Sequence, residues 1–322
     1  MVNKVYSLKD AVAKFVEDGD RLTLGGFTTN KKPYAAVHEI LRQGKKDFIA
    51  EAGPAGGDWD LLIGEGRVKV YINCYTANPR LTNISRRFRD AIQKGTLIFE
   101  DYSQDVSVLM AHAAALGLPF LPVRLMMGSG LTDKWGISKE LRQTLDKVPK
   151  DKFVYIDNPF NPGEKIVALP VPKIDTAIIH VHQASPDGTA RIFGSEFNDI
   201  DIAMAAKKTI ITCEELISNE EIRRDPSKNS IPGFCTDAVV HSPYGAHPSQ
   251  CYHYYDYDIQ YFKEYDVASK TEEGFKKFLN KYVYGVSSHE EYLEMLGSNR
   301  LLKLKVTPGL GFSADLSKGA VK

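Results

Sequence analysis

Hydrophobic residues recur with two different spacings in the first part of the chain. Apolar side chains three or four positions apart predict a helix over residues 8–16, and the same spacing after Pro33 predicts a second helix. Between them, Leu22 and Leu24 alternate with polar neighbours, as in a short strand. The strand runs into Gly25-Gly26, where the missing Cβ atoms let a ligand approach the backbone. N–H groups of the following helix could hold an anion there, although Gly-Gly also forms ordinary tight turns in α/β proteins.

The same alternation of strands and helices continues along the chain. Alternating segments predict strands at 47–51, 68–74, 96–100, 175–182, 190–193, 209–213 and 238–240, and helical spacing predicts helices at 85–92, 103–116 and 200–207. This order indicates an α/β fold with a mostly parallel, doubly wound sheet flanked by helices. Ligands bind such sheets beyond the C-terminal ends of the strands. We therefore look for site residues directly after the strands.

Residues 131–167 are less regular than the rest. We expect them to form a partly helical insertion that covers a substrate or packs on a partner. Because no Gly/Ser-rich linker or charge run divides the chain, we predict a single domain over residues 1–322.

Composition narrows the classes of protein that the chain can represent. Of the 322 residues, 43% are hydrophobic and 25% charged, which is typical of a folded domain with a sizeable core. Lys plus Arg equals Asp plus Glu at 41 each, which argues against a broad nucleic-acid-binding surface but leaves room for a local patch. There is no apolar run of membrane-spanning length and no Cys-x-x-Cys pair among the four cysteines, and the first residues lack the charged and apolar regions of a signal peptide. We expect a cytoplasmic protein with reduced thiols, outside the membrane.

Several motifs resemble the A-subunit signature of class I CoA-transferases. The resemblance begins with Asp18-Gly19 and continues through Leu22-Thr23-Leu24, Gly25-Gly26-Phe27 and Pro33. Thr23 stands where an aliphatic residue is usual, and Lys31 where a glycine is usual. Later landmarks of the same family follow in order at 180–188, 210–215 and 243–249, so the resemblance covers essentially the whole chain. The stretches 56–60, 71–78 and 101–105 resemble the glutaconate-type A subunits in particular.

The resemblance implies an enzyme that moves CoA between carboxylic acids. In that family, the glutamate that attacks an acyl-CoA such as acetyl-CoA belongs to the partner B subunit. It becomes a glutamyl-CoA thioester, and the acceptor acid then takes the CoA. The implied acceptor is a dicarboxylate, glutaconate, and the implied setting is glutamate fermentation through 2-hydroxyglutarate. The CoA thioester is then a substrate, no cofactor is bound permanently, and A and B subunits form a hetero-oligomer. Two other functions are compatible with the same fold. The chain could be a subunit of an acyl-CoA decarboxylase or a ligand-sensing module without catalysis.

Candidate site residues follow from the strand ends and the resemblance. We expect Gly25, Gly26 and Phe27 to supply backbone to a substrate or CoA site, and we name Tyr71, Asn73 and Gln104 as polar candidates. Glu51-Ala-Gly53 echoes the Glu-x-Gly sequence around the B-subunit nucleophile. Because so short a motif often arises by chance, we expect Glu51 to be a loop or interface carboxylate and predict no catalytic residue in this chain.

Histidine and tyrosine clusters offer two further hypotheses. His180 and His182 share a strand face and could bind a metal ion together with His247 or His253. Because no carboxylate or cysteine completes a recognisable ligand set, we expect hydrogen-bonded histidines and no metal. The tyrosine-rich stretch 252–257 could stack on an adenine ring, but we expect it to pack at a subunit contact.

Overall fold

The computed structural model describes residues 3–78, 84–307, 309–310 and 313. Its strands are Arg21–Leu24 (β1), Phe48–Glu51 (β2), Pro54–Ala55 (β3), Val68–Asn73 (β4), Tyr75–Thr76 (β5), Ile98–Asp101 (β6), Phe120–Val123 (β7), Val154–Asp157 (β8), Lys165–Pro170 (β9), Thr176–Ala184 (β10), Ala190–Arg191 (β11), Lys208–Leu216 (β12) and Ala238–His241 (β13).

The α-helices lie before, between and after these strands. They are Leu8–Phe15 (α1), Tyr34–Arg42 (α2), Gly57–Gly64 (α3), Arg86–Gln93 (α4), Gln104–Ala115 (α5), Gly130–Asp133 (α6), Lys139–Thr144 (α7), Asp199–Ala205 (α8), Asn219–Arg224 (α9), Ile259–Ala268 (α10), Glu272–Leu279 (α11), His289–Leu296 (α12) and Ser298–Leu304 (α13). Short 3₁₀ turns lie at Pro226–Lys228 and Gly233–Cys235, and a π-helical turn at Asn280–Tyr284. Within the described residues, none of these helices has the length and apolar character needed to cross a membrane.

The central sheet confirms the predicted α/β architecture. Its strands lie in the order β13-β12-β10-β1-β2-β4-β6, all parallel, with β11 antiparallel to the end of β10. The chain therefore builds outward from β1 through β2, β4 and β6, and then returns to the other side of β1 with β10. The point between β1 and β10, where the strand order reverses, is where open α/β sheets bind ligands.

Helices bury both faces of this sheet. On one face, α1, α2 and α3 pack with α10, α11 and α12 around the largest apolar core, which includes the buried Trp59. On the other face, α5 and α8 cover two smaller cores. Local signals set the helix ends: Ser7 accepts the N–H of Asp10 at 3.1 Å to cap α1, and Ser288 caps α12 in the same way.

Residues 131–167 carry two short helices, α6 in part and α7, and then strands β8 and β9. Strand β9 pairs with β7 and β8 in a three-stranded antiparallel sheet, which the hydrophobic pattern did not predict. Short strands such as these are recognisable only through their pairing, and β7 lies more than forty residues before β9. The helical content agrees with the prediction, whereas the role as an insertion or cover stays a prediction.

A buried carboxylate ties this segment to the main sheet. Glu100 on β6 is fully buried and pairs with Arg142 and, at 3.0 Å, with the Nζ of Lys152. It also accepts the backbone N–H groups of Gly136 and Ile137 at 3.1 and 3.3 Å. Two cations and two N–H groups therefore converge on one side chain, so its charge fixes where the segment docks.

Replacing Glu100 should loosen this segment. We expect Glu100→Gln to lower the free energy of unfolding by about 3–5 kcal/mol, because two buried cations lose their counter-charge. Urea titration and limited proteolysis within residues 131–152 would measure the effect. Glu164→Gln is the matched control, since Glu164 pairs with the exposed Arg124 and should change stability little. Equal effects of the two substitutions would contradict the anchoring role of Glu100.

Asp60 supplies a pH-dependent contact between helices. Its carboxylate on α3 accepts the N–H of Phe88 at 2.7 Å and the hydroxyl of Tyr265 at 2.6 Å. Burial raises the pKa of Asp60 from its ordinary value to about 6, despite these donors. The folded state thus favours the protonated carboxyl, so the stability contribution of Asp60 is greatest at low pH and decreases as pH rises through 6.

Comparing the wild type with Asp60→Asn isolates the effect of Asp60 ionisation on stability. Between pH 5 and pH 7.5, the unfolding free energy of the wild type should fall by on the order of 1 kcal/mol relative to the variant, because the buried carboxyl ionises only in the wild type. Urea titrations of both proteins at the two pH values would measure it. A difference that stays constant or rises with pH would be inconsistent with a raised pKa.

Candidate active site

The turn after β1 lies at the point where the strand order reverses. Strand β1 pairs with β10 through Leu24 and Ile178, and Gly25-Gly26 follows directly. A Cβ atom on Gly25 would lie 2.9 Å from Oδ1 of Asp199, and one on Gly26 would lie 2.3 Å from the carbonyl oxygen of Asn30. Gly26 also has a φ of +76°. Glycine is therefore needed at both positions by close packing, and at Gly26 also by the backbone conformation.

Asp199, the first residue of α8, fixes this turn. Its Oδ1 accepts the N–H of Gly26 at 2.7 Å, and its Oδ2 pairs with Nζ of Lys31 at 3.1 Å. The side chains of Asp199 and Lys31 are 0% and 3% exposed, so the pair is buried. Lys31 has a φ of +49°, in the region that glycine adopts most easily. The departure of Lys31 from the family pattern thus keeps a glycine-like backbone and adds a cation that binds Asp199.

A pocket of about 330 Å³ opens beside this turn, and we call it the turn pocket. Its lining combines aromatic rings with side-chain amides and a hydroxyl: Asn30, Lys31, Phe193, Gly194, Ser195, Phe197, Gln250 and Tyr252. The ring of Phe27 stacks on that of Phe197 with 5.1 Å between centroids. Because Asp199 neutralises Lys31, the pocket presents flat apolar walls and uncharged hydrogen-bonding groups. Such a lining suits the uncharged parts of an organic ligand.

Two residues that line the turn pocket have strained backbones. Their φ angles are +49° at Lys31 and +55° at Phe197, and Thr28, just after the Gly25-Gly26 turn, has a φ of +47°. Such conformations cost about 1–3 kcal/mol each and persist where the surrounding structure holds them, often at functional sites. The strain is a second observation, independent of the cavity, that favours this region as the site.

The backbone N–H groups of the turn already have acceptors within the chain. Those of Gly25, Gly26 and Phe27 donate to Ile178 O, Asp199 Oδ1 and Asn30 O at 2.7–2.8 Å. The role of these three residues as site backbone therefore stays a prediction. A ligand would have to replace the present acceptors of their N–H groups, or contact their carbonyl and side-chain atoms instead.

The expectation that the following helix offers its N–H groups to an anion stays a prediction, and two N–H groups at or just before its start already have acceptors within the chain. The opening turn of α2 is buried under the 245–250 loop, and the N–H groups of Lys31 and Ala35 donate to Gln250 O and Gly245 O. These groups are unavailable because the protein itself supplies their acceptors.

Glu51 lies at the end of β2, next to β1 in the sheet. Its Oε2 accepts hydrogen bonds from Nε and Nη2 of Arg21 at 2.9 and 2.5 Å, and the side chain is 14% exposed. A carboxylate held by a guanidinium is stabilised as an anion and is a weaker nucleophile. The contact agrees with the expectation of a structural carboxylate, and the absence of a catalytic role stays a prediction.

The three polar candidates occupy the ends of β4 and β6. Nδ2 of Asn73 donates to the hydroxyl of Tyr71 at 3.1 Å, and that hydroxyl also contacts Thr76 at 2.8 Å. Tyr71 is fully buried, and burial raises the pKa of its hydroxyl, which therefore stays protonated. Gln104 is exposed at the first turn of α5, just beyond the residue that pairs with Asn73. The structure brings Tyr71 and Asn73 together and places Gln104 at the start of α5, three residues after the neighbouring strand β6, and their site roles stay predictions.

The histidines of β10 are hydrogen-bonded within the core. Nδ1 of His180 contacts Thr212 at 2.8 Å, and its Nε2 contacts Glu214 at 2.7 Å. His182 accepts the N–H of Phe193 at 3.0 Å, and burial lowers its pKa to about 3, so the ring is neutral. His247 contacts Tyr292 and Asp258 elsewhere.

In the described part of the chain, potential metal ligands converge only at His180, Glu214 and Cys251. The hydroxyl of Tyr255 also donates to the Glu214 oxygen that His180 contacts, and burial raises the pKa of the Cys251 thiol well above its ordinary value. These three side chains are thus engaged in hydrogen bonds within the core or held as a thiol, and the expectation that no metal binds here stays a prediction.

Asp199, Phe197, Ser195 and Gln250 line the candidate site or hold its turn, and the sequence did not reveal them. They lie in loops or at a helix start without a recognisable motif, and Asp199 is 173 positions away from Gly26. One signal was present: residues 194–199 follow the short strand predicted at 190–193. Tyr252, by contrast, belongs to the tyrosine-rich stretch, and its ring lines the turn pocket.

Comparisons with known proteins give a consistent picture. A sequence profile described as Coenzyme A transferase matches residues 5–242. The chain is 66% identical over 317 residues to the A subunit of glutaconate CoA-transferase from Acidaminococcus fermentans, covering 98% of this chain and 99% of the relative. The crystal structure of glutaconate coenzyme A-transferase from that organism matches with a TM-score of 0.96, over 98% of this chain and 99% of that chain.

More distant relatives are named for another substrate or another reaction. The chain is 32% identical over 293 residues to the A subunit of 3-oxoadipate CoA-transferase from Pseudomonas knackmussii, covering 90% of this chain and 96% of the relative. A structure of the decarboxylase AibA/AibB matches with 25% identity and a TM-score of 0.72, over 87% of this chain and all of that chain.

A double-mutant cycle tests the Lys31–Asp199 pair. Each single change, Lys31→Gly or Asp199→Asn, leaves one buried charge without its partner and should cost about 3–5 kcal/mol of stability. The double variant removes both charges, so its cost should be smaller than the sum of the two by about 2 kcal/mol or more. Chemical denaturation measures the free energy of unfolding of the wild type, the two single variants and the double variant.

The matched control is the exposed Lys165–Asp157 pair, whose Nζ–Oδ1 distance is 2.7 Å and for which we expect no measurable coupling. Additive effects of Lys31→Gly and Asp199→Asn would show that the buried pair does not act as a unit.

Proposed function

Since the chain belongs to the coenzyme A transferase family and is a CoA-transferase subunit, we propose that it is the A subunit of a two-subunit enzyme acting on glutaconate. CoA would move from an acyl-CoA, such as acetyl-CoA, to this dicarboxylate. The nucleophilic glutamate would lie on the partner B subunit. The observation that carries the proposal is the 66% identity, over nearly the full length of both chains, to a protein of that name.

The proposed reaction proceeds through two acyl transfers. The partner's glutamate carboxylate attacks the thioester carbon, releasing CoA thiolate and forming a mixed anhydride. The thiolate then attacks the glutamyl carbonyl, which releases the donor acid as its carboxylate and leaves an enzyme-bound glutamyl-CoA thioester. The acceptor carboxylate reverses these steps and leaves as its CoA thioester. Each attack creates an oxyanion that nearby hydrogen-bond donors must stabilise.

The role of this chain in the proposal is to bind and position substrate. Gly25, Gly26 and Phe27 would form the wall nearest the reacting carbon. The turn pocket would hold an uncharged part of the CoA thioester against its aromatic rings, and Asn73 and Gln104 would supply polar contacts from the neighbouring strand ends. Binding energy gained away from the reacting atoms can then favour the transition state. We place the reaction in the cytoplasm and in glutamate fermentation.

Trapping of the thioester tests where the nucleophile lies. We expect that, when the chain is purified with its natural B partner and treated with glutaconyl-CoA and hydroxylamine, mass spectrometry will find the modified glutamate on the partner. Hydroxylamine intercepts an activated glutamyl carbonyl, whereas an ordinary carboxylate does not react. Modification of Glu51 instead would place the nucleophile on this chain.

Glu51→Gln is the companion variant. It should retain CoA transfer within about an order of magnitude, whereas loss of a covalent nucleophile costs several orders. Omitting the acyl-CoA from the trapping reaction controls for non-specific modification. Release of carbon dioxide from the acyl-CoA, without a trapped glutamate, would support the decarboxylase alternative. Binding without any turnover by the complex would support a ligand-sensing module.

A further inference from the structure

A second pocket lies at the end of β1 opposite to the turn pocket, and we call it the edge pocket. Its volume is about 430 Å³. Arg21 begins β1, and Asp175 and Lys207 directly precede β10 and β12, so the pocket marks the N-terminal ends of these strands. At about 3.3 Å per residue, Arg21 and Gly25 are about 13 Å apart along the strand. The edge pocket is thus separate from the site proposed above.

Positive charge is in excess around the edge pocket. Arg21, Lys147, Lys173 and Lys207 line it, with Asp175 as the carboxylate. Asp175 accepts from Nζ of Lys147 at 2.7 Å and from Nζ of Lys207 at 2.8 Å. Lys173 has no hydrogen-bond or ion-pair partner among the described residues. When Asp175 and the Glu51 that pairs with Arg21 are both counted against the four cations, a net charge of +2 remains at the pocket. The whole chain, by contrast, has a formal net charge of zero.

The floor of the edge pocket is rigid. The side chain of Arg21 is 3% exposed, and its Nη1 donates to the carbonyl oxygen of Lys147 at 2.9 Å while its other nitrogens bind Glu51. Lys147 has a φ of +58°, and its Nζ also donates to Gly19 O at 2.8 Å. These contacts hold a strained backbone and a buried guanidinium in one arrangement before any ligand arrives.

The remaining walls of the edge pocket are apolar. They consist of Val148, Val171 and the three prolines at 119, 149 and 170. Inorganic anions are strongly hydrated and gain nothing from such walls, whereas an anion with a hydrocarbon body can bury that body against them. The volume falls within the usual range of small-molecule sites, about 300–1,000 Å³.

We propose that the edge pocket binds a small organic dianion, such as a phosphate monoester, outside the CoA-transfer site. The lysines and Arg21 attract the charged group, and the valines and prolines contact its body. A dianion matches the excess of two positive charges that remains when Asp175 and Glu51 are counted against the four cations of the lining.

Phenyl phosphate is a suitable probe because it carries a dianion on an apolar ring and has no carboxylate that could accept CoA. Isothermal titration of the complex of this chain with its B partner should show binding to one site per copy of this chain. Phenyl phosphate should bind about tenfold more tightly than inorganic phosphate, a difference worth about 1.4 kcal/mol that we assign to the apolar walls.

Two double variants separate a defined site from general charge attraction. Lys173→Gln with Lys207→Gln should weaken phenyl phosphate binding by about tenfold or more. Lys139→Gln with Lys165→Gln removes the same net charge from exposed ion pairs outside the pocket and should leave affinity unchanged. Circular dichroism and thermal denaturation establish that both variants fold.

Three other outcomes of these binding measurements would overturn the proposal. Equal weakening in both double variants would indicate non-specific attraction by net charge. Absence of binding to the wild-type complex at millimolar phenyl phosphate, or equal affinity for inorganic phosphate, would also contradict an organic-dianion site. Because these measurements do not depend on CoA transfer, they remain decisive even if the proposed reaction is wrong.

Discussion

The buried carboxylate of Asp199 is the contact on which the arrangement around β1 depends. It joins the turn after β1 to the start of α8, and so connects the two halves of the sheet at the point where the strand order reverses. One oxygen holds the Gly26 N–H and the other holds Lys31, whose backbone is itself strained. A buried ion pair adds little net stability, because desolvation offsets its attraction, but it strongly disfavours any arrangement that separates the charges. The carboxylate therefore fixes the shape of the turn pocket.

Further buried ion pairs tie loops to the sheet in the same way. Lys32, adjacent to Lys31, pairs with Asp58 at 2.9 Å, and both side chains are fully buried. Glu100 anchors the segment that contains Arg142 and Lys152. In each case a buried charge at a strand end or in a loop allows only one position of the loop. The apolar cores supply the general driving force for folding. Loop shape at the C-terminal edge of the sheet is thus specified electrostatically.

The hydrophobic pattern predicted most strands of the central sheet and several of its helices, but not the contacts between loops. Helix α1 and strand β1 were predictable because hydrophobic spacing and end signals are local, and the order of elements led to the parallel sheet. Asp199 could not be linked to Gly26 because the two are 173 residues apart and no motif marks the aspartate. The sheet of β7, β8 and β9 was missed for the same reason, since its evidence lies in long-range pairing. Lys31 was noticed only as a departure, and its conformation became meaningful once its partner was known.

The polar groups of the turn are hydrogen-bonded within the chain, which bears on the proposal of a site shared with a partner. The N–H groups of Gly25, Gly26 and Phe27 all have acceptors, and Glu51 is held by Arg21. Groups that are already paired in this way can define the walls of a pocket, but an activated nucleophile needs a group that is free to react. Such a group is best supplied by a second chain, because the first can then fold stably without carrying an unpaired reactive carboxylate. This physical division of labour supports the assignment of shape to this chain and of covalent chemistry to its partner.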